Sequence, residues 1–274
     1  MNTTKFSQTV AKRERDTLQL DSIDQLACLR IAREDMIRNG FAYLSGDDLV
    51  LTDTQRLELE LIRNYFDGLP LDIYDEESSR YRRHSKFYLL PFAGLLIPAA
   101  QQATYSQHAQ FNSEAGMEER KFEPISDEVL SYELIVKLIK HDFENSPLDE
   151  SFLAAPIEVG VHFIRLRAET DKPGVAVPNR LHKDGEPFTW IHLVNRNGVL
   201  GGKNIITDNS QTETLCETTL NNALDSIGIV DNRVWHQVKP VYVENGVTSG
   251  FRDVVLIDFT PMIARPNAPS SMAA

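Results

Sequence analysis

The stretch LHKDGEPFTW, Leu181 to Trp190, sets a histidine and an aspartate one residue apart and follows them at once with glycine. On an extended backbone His182 and Asp184 share parity, so both side chains point to one face. An imidazole nitrogen and a carboxylate oxygen on one face can hold two adjacent positions of a metal ion. Alone the pair is a weak signal, because a chain with seven histidines produces it readily by chance. A polar turn leading into a strand reads equally well. The third candidate donor is His236 in NRVWHQVKPV, on a later β-like segment that a barrel or sandwich can bring opposite the pair. Two histidines and one carboxylate leave open metal positions of the kind that non-haem Fe(II) uses. Zinc would take four closed ligands or a third histidine.

Arg252, in SGFRDVVLIDF, opens an otherwise apolar strand. A buried arginine needs an anion, and its rigid fork suits a carboxylate in bidentate fashion. The far carboxylate of 2-oxoglutarate is one such partner. An ion pair with Asp253 or Asp258 is the plainer alternative.

The elements that must position these residues follow from periodicity. Apolar residues recur at helical spacing from Ser22 to Asn39, with Asp21 or Ser22 as N-cap and Gly40 beyond the C-terminus. FAYL reads as a short strand. Thr52 or Asp53 can cap a second helix that runs to about Phe66, and a third opens at Ser126 with an apolar stripe from Val129 to Ile139. From Ile157 onward, short runs rich in Val, Ile and Phe alternate with turn residues, the pattern of a sandwich or barrel. The expectation is an α+β, mainly β chain: a flexible segment at 1–20, one domain over 21–265 and a flexible tail at 266–274. Its helical part covers about 21–150 and its β core about 157–262.

Composition excludes several classes. A net charge of -12 argues against a nucleic-acid or anionic-membrane surface, which needs clustered Lys and Arg. Two cysteines, Cys28 and Cys216, support neither a disulfide framework nor a zinc knuckle, and they fit a reducing cytoplasm. No segment approaches the ~20 apolar residues that span a bilayer. Nothing in the sequence sets an oligomeric state.

Taken in order, the blocks YSQHAQFNSEAGMEERKFEPI, VHFIRLRA, LHKDGEPFTWIHLVNRNGVLGGKNIITD, VWHQVKPV and GFRDVVLIDFTP resemble the Fe(II)/2-oxoglutarate-dependent dioxygenases grouped with bacterial L-isoleucine 4-hydroxylase, which act on free amino acids. The resemblance covers roughly residues 75 to 262. It implies a double-stranded β-helix (jelly-roll, cupin-like) core backed by the N-terminal helices. It also implies Fe(II) on His182, Asp184 and His236, 2-oxoglutarate on Arg252, O2 as oxidant, and ascorbate as the reductant in vitro. The iron centre itself does the chemistry, with no separate acid or base. Aspartate at 184, where Gly or Ala would open a halide site, points to hydroxylation rather than halogenation. One departure is Glu186, where the family often carries histidine.

The implied substrate is a small amino acid, aliphatic or small cyclic, hydroxylated at an unactivated C–H with release of succinate and CO2. Its carboxylate calls for a cation: Arg120 first, with Arg165 and Arg83 in reserve. Gln107 and Asn112 can bond either polar group, and Glu186 can reach the ammonium; each of these has a surface or turn reading beside it. His162 and His192 read as satisfied core histidines, His84 and His108 as surface residues, and DEESSRYRRHSK as a solvated loop. Two other readings stay open. The same iron core can serve a carrier-tethered or peptidyl residue, or the chain can be a jelly-roll metal-binding protein or sensor that uses no oxygen.

Overall fold

A computed structural model describes residues 18–19, 26–75, 77, 79–99, 104–105 and 119–262. The elements named below are helices α1 (Leu26–Asn39), α2 (Asp53–Tyr65) and α3 (Glu133–Asn145), with strands β1 (Phe41–Leu44), β2 (Arg80–Leu90), β3 (Leu95–Pro98), β4 (Ile157–Glu169), β5 (Phe188–Asn197), β6 (Val199–Gly201), β7 (Asn204–Thr207), β8 (Thr214–Thr218), β9 (Ser226–Val230), β10 (Trp235–Val238), β11 (Val241–Val243) and β12 (Ser249–Pro261). The large sheet runs Leu18–Gln19, β3, β2, β4, β12, β5, β9, β1, with every neighbouring pair antiparallel. Three strands in the order β8, β7, β10 form a small sheet, and β6 pairs with β11. The arrangement is the jelly roll.

Parity along the large sheet sorts its side chains. In β4 and β12 the odd-numbered residues Val161, Phe163, Val255, Ile257 and Phe259 join Phe66, Leu134 and Leu138 in the main apolar core, under the helices. Phe163 stacks on Phe66 with ring centroids 5.0 Å apart, and each such fully buried aromatic contributes ~2–3 kcal/mol through its removal from water. The even-numbered face is different: it carries Arg80, Arg82, His162, Arg252 and Asp258 alongside Ile164, Leu166, Val254 and Leu256, and it looks into a cavity.

The helices are fixed to the sheet by specific polar contacts. Thr52 and Gln55 form a reciprocal capping box at the start of α2. The first turn of α3 has no side-chain cap of its own, and Glu58 of α2 takes its free amides, accepting from Glu133 N at 3.1 Å and Leu134 N at 2.8 Å. At the other end Asp142 meets His192 Nε2 at 2.8 Å, and Trp190 Nε1 donates to Ser146 Oγ at 3.1 Å. His192 is therefore a satisfied core histidine.

Two expectations change here. RYRRHSKFYLL is a strand, β2, rather than a solvated loop, and with β3 it brings strands into the part expected to be helical. The strand was hidden because its inward residues are Arg80, Arg82 and His84, so the usual apolar-in pattern is inverted toward a polar cavity. His84, expected at the surface, is fully buried and stacks on His162 at 4.2 Å.

Candidate active site

His182 sits in a loop before β5 and His236 on β10, and their backbones join directly. His182 N donates to His236 O at 2.9 Å, and His236 N donates to His182 O at 3.1 Å. This isolated bridge brings the two rings to 4.3 Å between centroids. Asp184 follows two residues after His182 on the same face. Its Oδ1 is 3.5 Å from His182 Nε2 and its Oδ2 is 3.2 Å from His236 Nε2. One ligating atom from each of the three residues falls within 4.8 Å of the others.

The surrounding contacts orient the donors. His182 Nδ1 lies 2.8 Å from Arg180 O; a carbonyl only accepts, so Nδ1 carries a proton and Nε2 is the ring nitrogen turned to the cluster. Lys183 points the opposite way, its Nζ donating to Asn209 Oδ1 and Asp231 O at 2.8 Å each. Burial pushes the Asp184 carboxyl up, yet His236 and His182 outweigh it and hold the carboxyl well below its usual range. Such a group offers oxygen lone pairs at any working pH.

Arg252 lines the cavity, 2% exposed on β12. Its Nε and Nη2 are buried and have no hydrogen-bond partner among the described residues. Neither aspartate proposed as an ion-pair partner takes it: Asp253 is gripped by Arg165 and Asp258 by His162. Burial and then the neighbouring Arg196 lower its pKa to about 10. Arg196 reaches this region because Val194 is the extra residue of a bulge opposite Asp253 and Val254, which reverses the parity of β5. Its Nη atoms are occupied by the carbonyls of Leu220, Val199 and Gly201 and by Asn221 Oδ1. Arg252 is thus a desolvated fork whose Nε and Nη2 edge is bare. Gly202 makes room for it, since a Cβ there would lie 3.1 Å from Arg252 Cδ.

The same cavity is lined by Arg80, Arg82, Tyr105, Arg120, Glu186 and Asp258. Arg80 is committed to Asp72, with its Nε at 2.8 Å from Oδ2. Arg82 Nη2 lies 2.5 Å from His162 Nδ1, and His162 Nε2 lies 2.9 Å from Asp258 Oδ2. Arg120 is 3% exposed, with its guanidinium carbon 4.9 Å from the Tyr105 ring centre. Glu186 is half-buried, with its Oε2 atom buried and unpartnered among the described residues, and burial, then Asp258 and Asp184, push its carboxyl well above its usual range.

Residues 63–258 match the model of the 2OG-Fe dioxygenases. The chain belongs to that family. Its enzymes use Fe(II), 2-oxoglutarate and O2, and the cluster of two imidazoles and one carboxylate fits iron of that kind. The dioxygenase is 29% identical to an L-isoleucine-4-hydroxylase of Bacillus thuringiensis over 81% of its own length and 90% of that protein's. It is 25% identical to a 3(1)-hydroxy-L-isoleucine 4-dioxygenase of Pantoea ananatis, over 81% and 92% of the two chains. Among solved structures, IDO from Bacillus thuringiensis superposes with a TM-score of 0.72 at 22% identity, covering 90% of this chain and all of that one, which supports the shared fold.

The cavity of the dioxygenase gathers His182, Asp184, His236, Arg252, Arg120 and Glu186. It does not gather Arg165, whose odd parity turns it to the helix-covered face, where Nε and Nη2 grip Asp253 at 2.7 and 2.8 Å and Nη1 meets Asp67 at 2.9 Å. Arg83 likewise faces away, toward Pro124 O and Glu123. Gln107, Asn112 and His108 lie outside the described residues. Residues that sequence reasoning passed over are Arg80, Arg82 and Tyr105, together with Asp231, whose carboxylate accepts from Asp184 N and Gly185 N. Charge alternation in RYRRH was the available signal for the first two.

Proposed function

We propose that this dioxygenase hydroxylates an unactivated C–H of a free L-amino acid, aliphatic or small cyclic. The supporting observation is one cavity that gathers the His-Asp-His cluster, the bare fork of Arg252 and further charged side chains, Arg82, Arg120 and Glu186. His182, Asp184 and His236 would hold Fe(II), which with O2 and 2-oxoglutarate supplies the oxidising power as succinate and CO2 are released. The bare Nε and Nη2 of Arg252 suit the far carboxylate of 2-oxoglutarate, the anion that such a buried fork requires.

The further charges suit a zwitterion. Cationic Arg120 offers a partner for a carboxylate, and the unpaired Glu186 oxygen offers one for an ammonium. In the same cavity, Ile164, Ile191, Val254 and Leu256 exclude water and leave an aliphatic chain the favourable occupant. No acid or base is assigned; these side chains bind and orient. The names of the Bacillus thuringiensis and Pantoea ananatis relatives specify isoleucine-type substrates, in keeping with this class.

The test is turnover. Purified protein is incubated with Fe(II), ascorbate, 2-oxoglutarate and each of a panel of amino acids that includes pipecolate and ornithine. Succinate and substrate mass are followed. A gain of one oxygen with amino-acid-dependent succinate is expected, lost in His182→Ala and His236→Ala. Succinate at the same rate with and without every amino acid would contradict the reading.

A further inference from the structure

With Arg252 given to 2-oxoglutarate, Arg82 is the next cavity charge to be accounted for. Arg80 has Asp72, Arg196 has its carbonyls and Arg165 has two aspartates, but Arg82 touches no carboxylate among the described residues. It is 6% exposed, its Nε has no partner among the described residues, and burial together with Arg80 lowers its pKa to about 10. A buried cation without an anion costs free energy that a bound anion recovers.

The surroundings hold this guanidinium still. Its carbon lies 4.4 Å from the Phe122 ring centre and 4.9 Å from that of Tyr105. In the plane, Nη2 is bound to His162. Because an arginine only donates, His162 Nδ1 must accept, so its proton sits on Nε2 and is donated to Asp258 Oδ2. The order is fixed: Arg82 to His162 to Asp258. Gly160 permits it, as a Cβ there would lie 2.3 Å from Asp258 Oδ2. Burial, then Arg82, keep the His162 pKa well below its usual value, and its ring stays neutral between Arg82 and Asp258.

We propose that Arg82, locked in orientation by His162 and Asp258, receives the α-carboxylate of the amino-acid substrate. The inference rests on the amino-acid reading above and deepens it. Arg82 is the binding residue; His162 and Asp258 are positioning residues that act through it. Arg120, across the same Tyr105 ring, then adds charge to that site rather than aiming it.

The experiment compares wild type with Arg82→Met, Arg82→Lys, His162→Leu and His162→Gln. Each is given the best amino acid found in the panel and, separately, its carboxamide. Losing a charge-assisted bond should raise KM for the acid by about tenfold or more in Arg82→Met. The preference of wild type for acid over carboxamide should collapse, while KM for 2-oxoglutarate moves little. Arg82→Lys should keep the preference with a raised KM. His162→Leu should weaken it, and His162→Gln, which can accept at oxygen and donate from nitrogen in the same order, should restore it; thermal melting and the 2-oxoglutarate KM control for folding. Wild type without amino-acid-stimulated succinate overturns both this inference and the reading beneath it. Wild type that is stimulated, with Arg82→Met weakening acid and carboxamide equally, overturns this inference alone.

Discussion

Asp231 grips the backbone of Asp184 from behind: its Oδ1 accepts from Asp184 N at 2.7 Å and its Oδ2 from Gly185 N at 3.0 Å. The carboxylate touches no ligating atom, yet it sets the direction in which the Asp184 side chain leaves the loop. Removing such support to a metal ligand typically costs ~10–100-fold in affinity. Asp231→Ala should therefore weaken Fe(II) binding by about tenfold or more, read as the Fe(II) concentration that restores half of maximal succinate release. An unchanged iron requirement would show that the loop holds its own shape.

Arg252 and Gly202 form a paired test. Arg252→Gln should raise KM for 2-oxoglutarate by about tenfold or more, the cost of a lost charge-assisted contact, with a smaller change in the amino-acid KM. Gly202→Ala places a methyl group 3.1 Å from Arg252 Cδ at a backbone φ of +71°, so it should move the same constant in the same direction. Steady-state kinetics with one substrate varied at a time separates the two. A Gly202→Ala effect on the amino-acid KM alone would place the fork's ligand elsewhere.

The donors in this site were legible because their chemistry is local. His182 and Asp184 share parity within one loop, and His236 and Arg252 sit in strands whose apolar character is plain. The helices were legible for the same reason, down to the Thr52 cap, except that the third, read as one run from Ser126, breaks at Ser131 and Tyr132 into Asp127–Leu130 and Glu133–Asn145. Strand β2 was not: its inward residues face a charged cavity, so periodicity reported the wrong side as core. Arg165 failed as a substrate candidate for a related reason. One residue of parity decides whether an arginine on β4 meets the cavity or the aspartates on the helix-covered face, and nothing in VHFIRLRA fixes that choice until the sheet is assembled. Arg82 against Arg83 is the same lesson on β2.

Asp258 gives a pH dependence whose sign is fixed. Burial, and after it the charge of Asp184, push its carboxyl up to about 7. The unfolded value is near 3.9, so the folded chain holds the proton more tightly. This group's contribution to stability is present below about pH 4 and is lost as pH rises through about 7. Metal-free wild type should therefore lose on the order of 1–4 kcal/mol relative to Asp258→Asn between pH 4 and pH 8, measured by urea unfolding. A difference that stays flat across the range would mean that Asp258 is ionised throughout.

Arg165 separates structural from substrate-binding arginines. Its Nε and Nη2 make a two-pronged contact with Asp253, a carboxylate whose side chain is fully buried, on the face away from the cavity. Arg165→Met leaves that carboxylate without its partner, which costs about 3–5 kcal/mol for a buried pair when the charge has no escape. Here it has one: burial already raises the Asp253 carboxyl to about 6 even with Arg165 in place, so without the arginine it protonates more readily. The deficit against wild type should therefore be smaller at pH 5.5 than at pH 8, and it should grow as pH rises because the variant must then carry the bare charge. Urea unfolding at the two pH values checks this, with KM for the amino acid and for 2-oxoglutarate expected within about twofold of wild type, as for a substitution outside the binding contacts. A raised amino-acid KM in a stably folded Arg165→Met would return this residue to the substrate site.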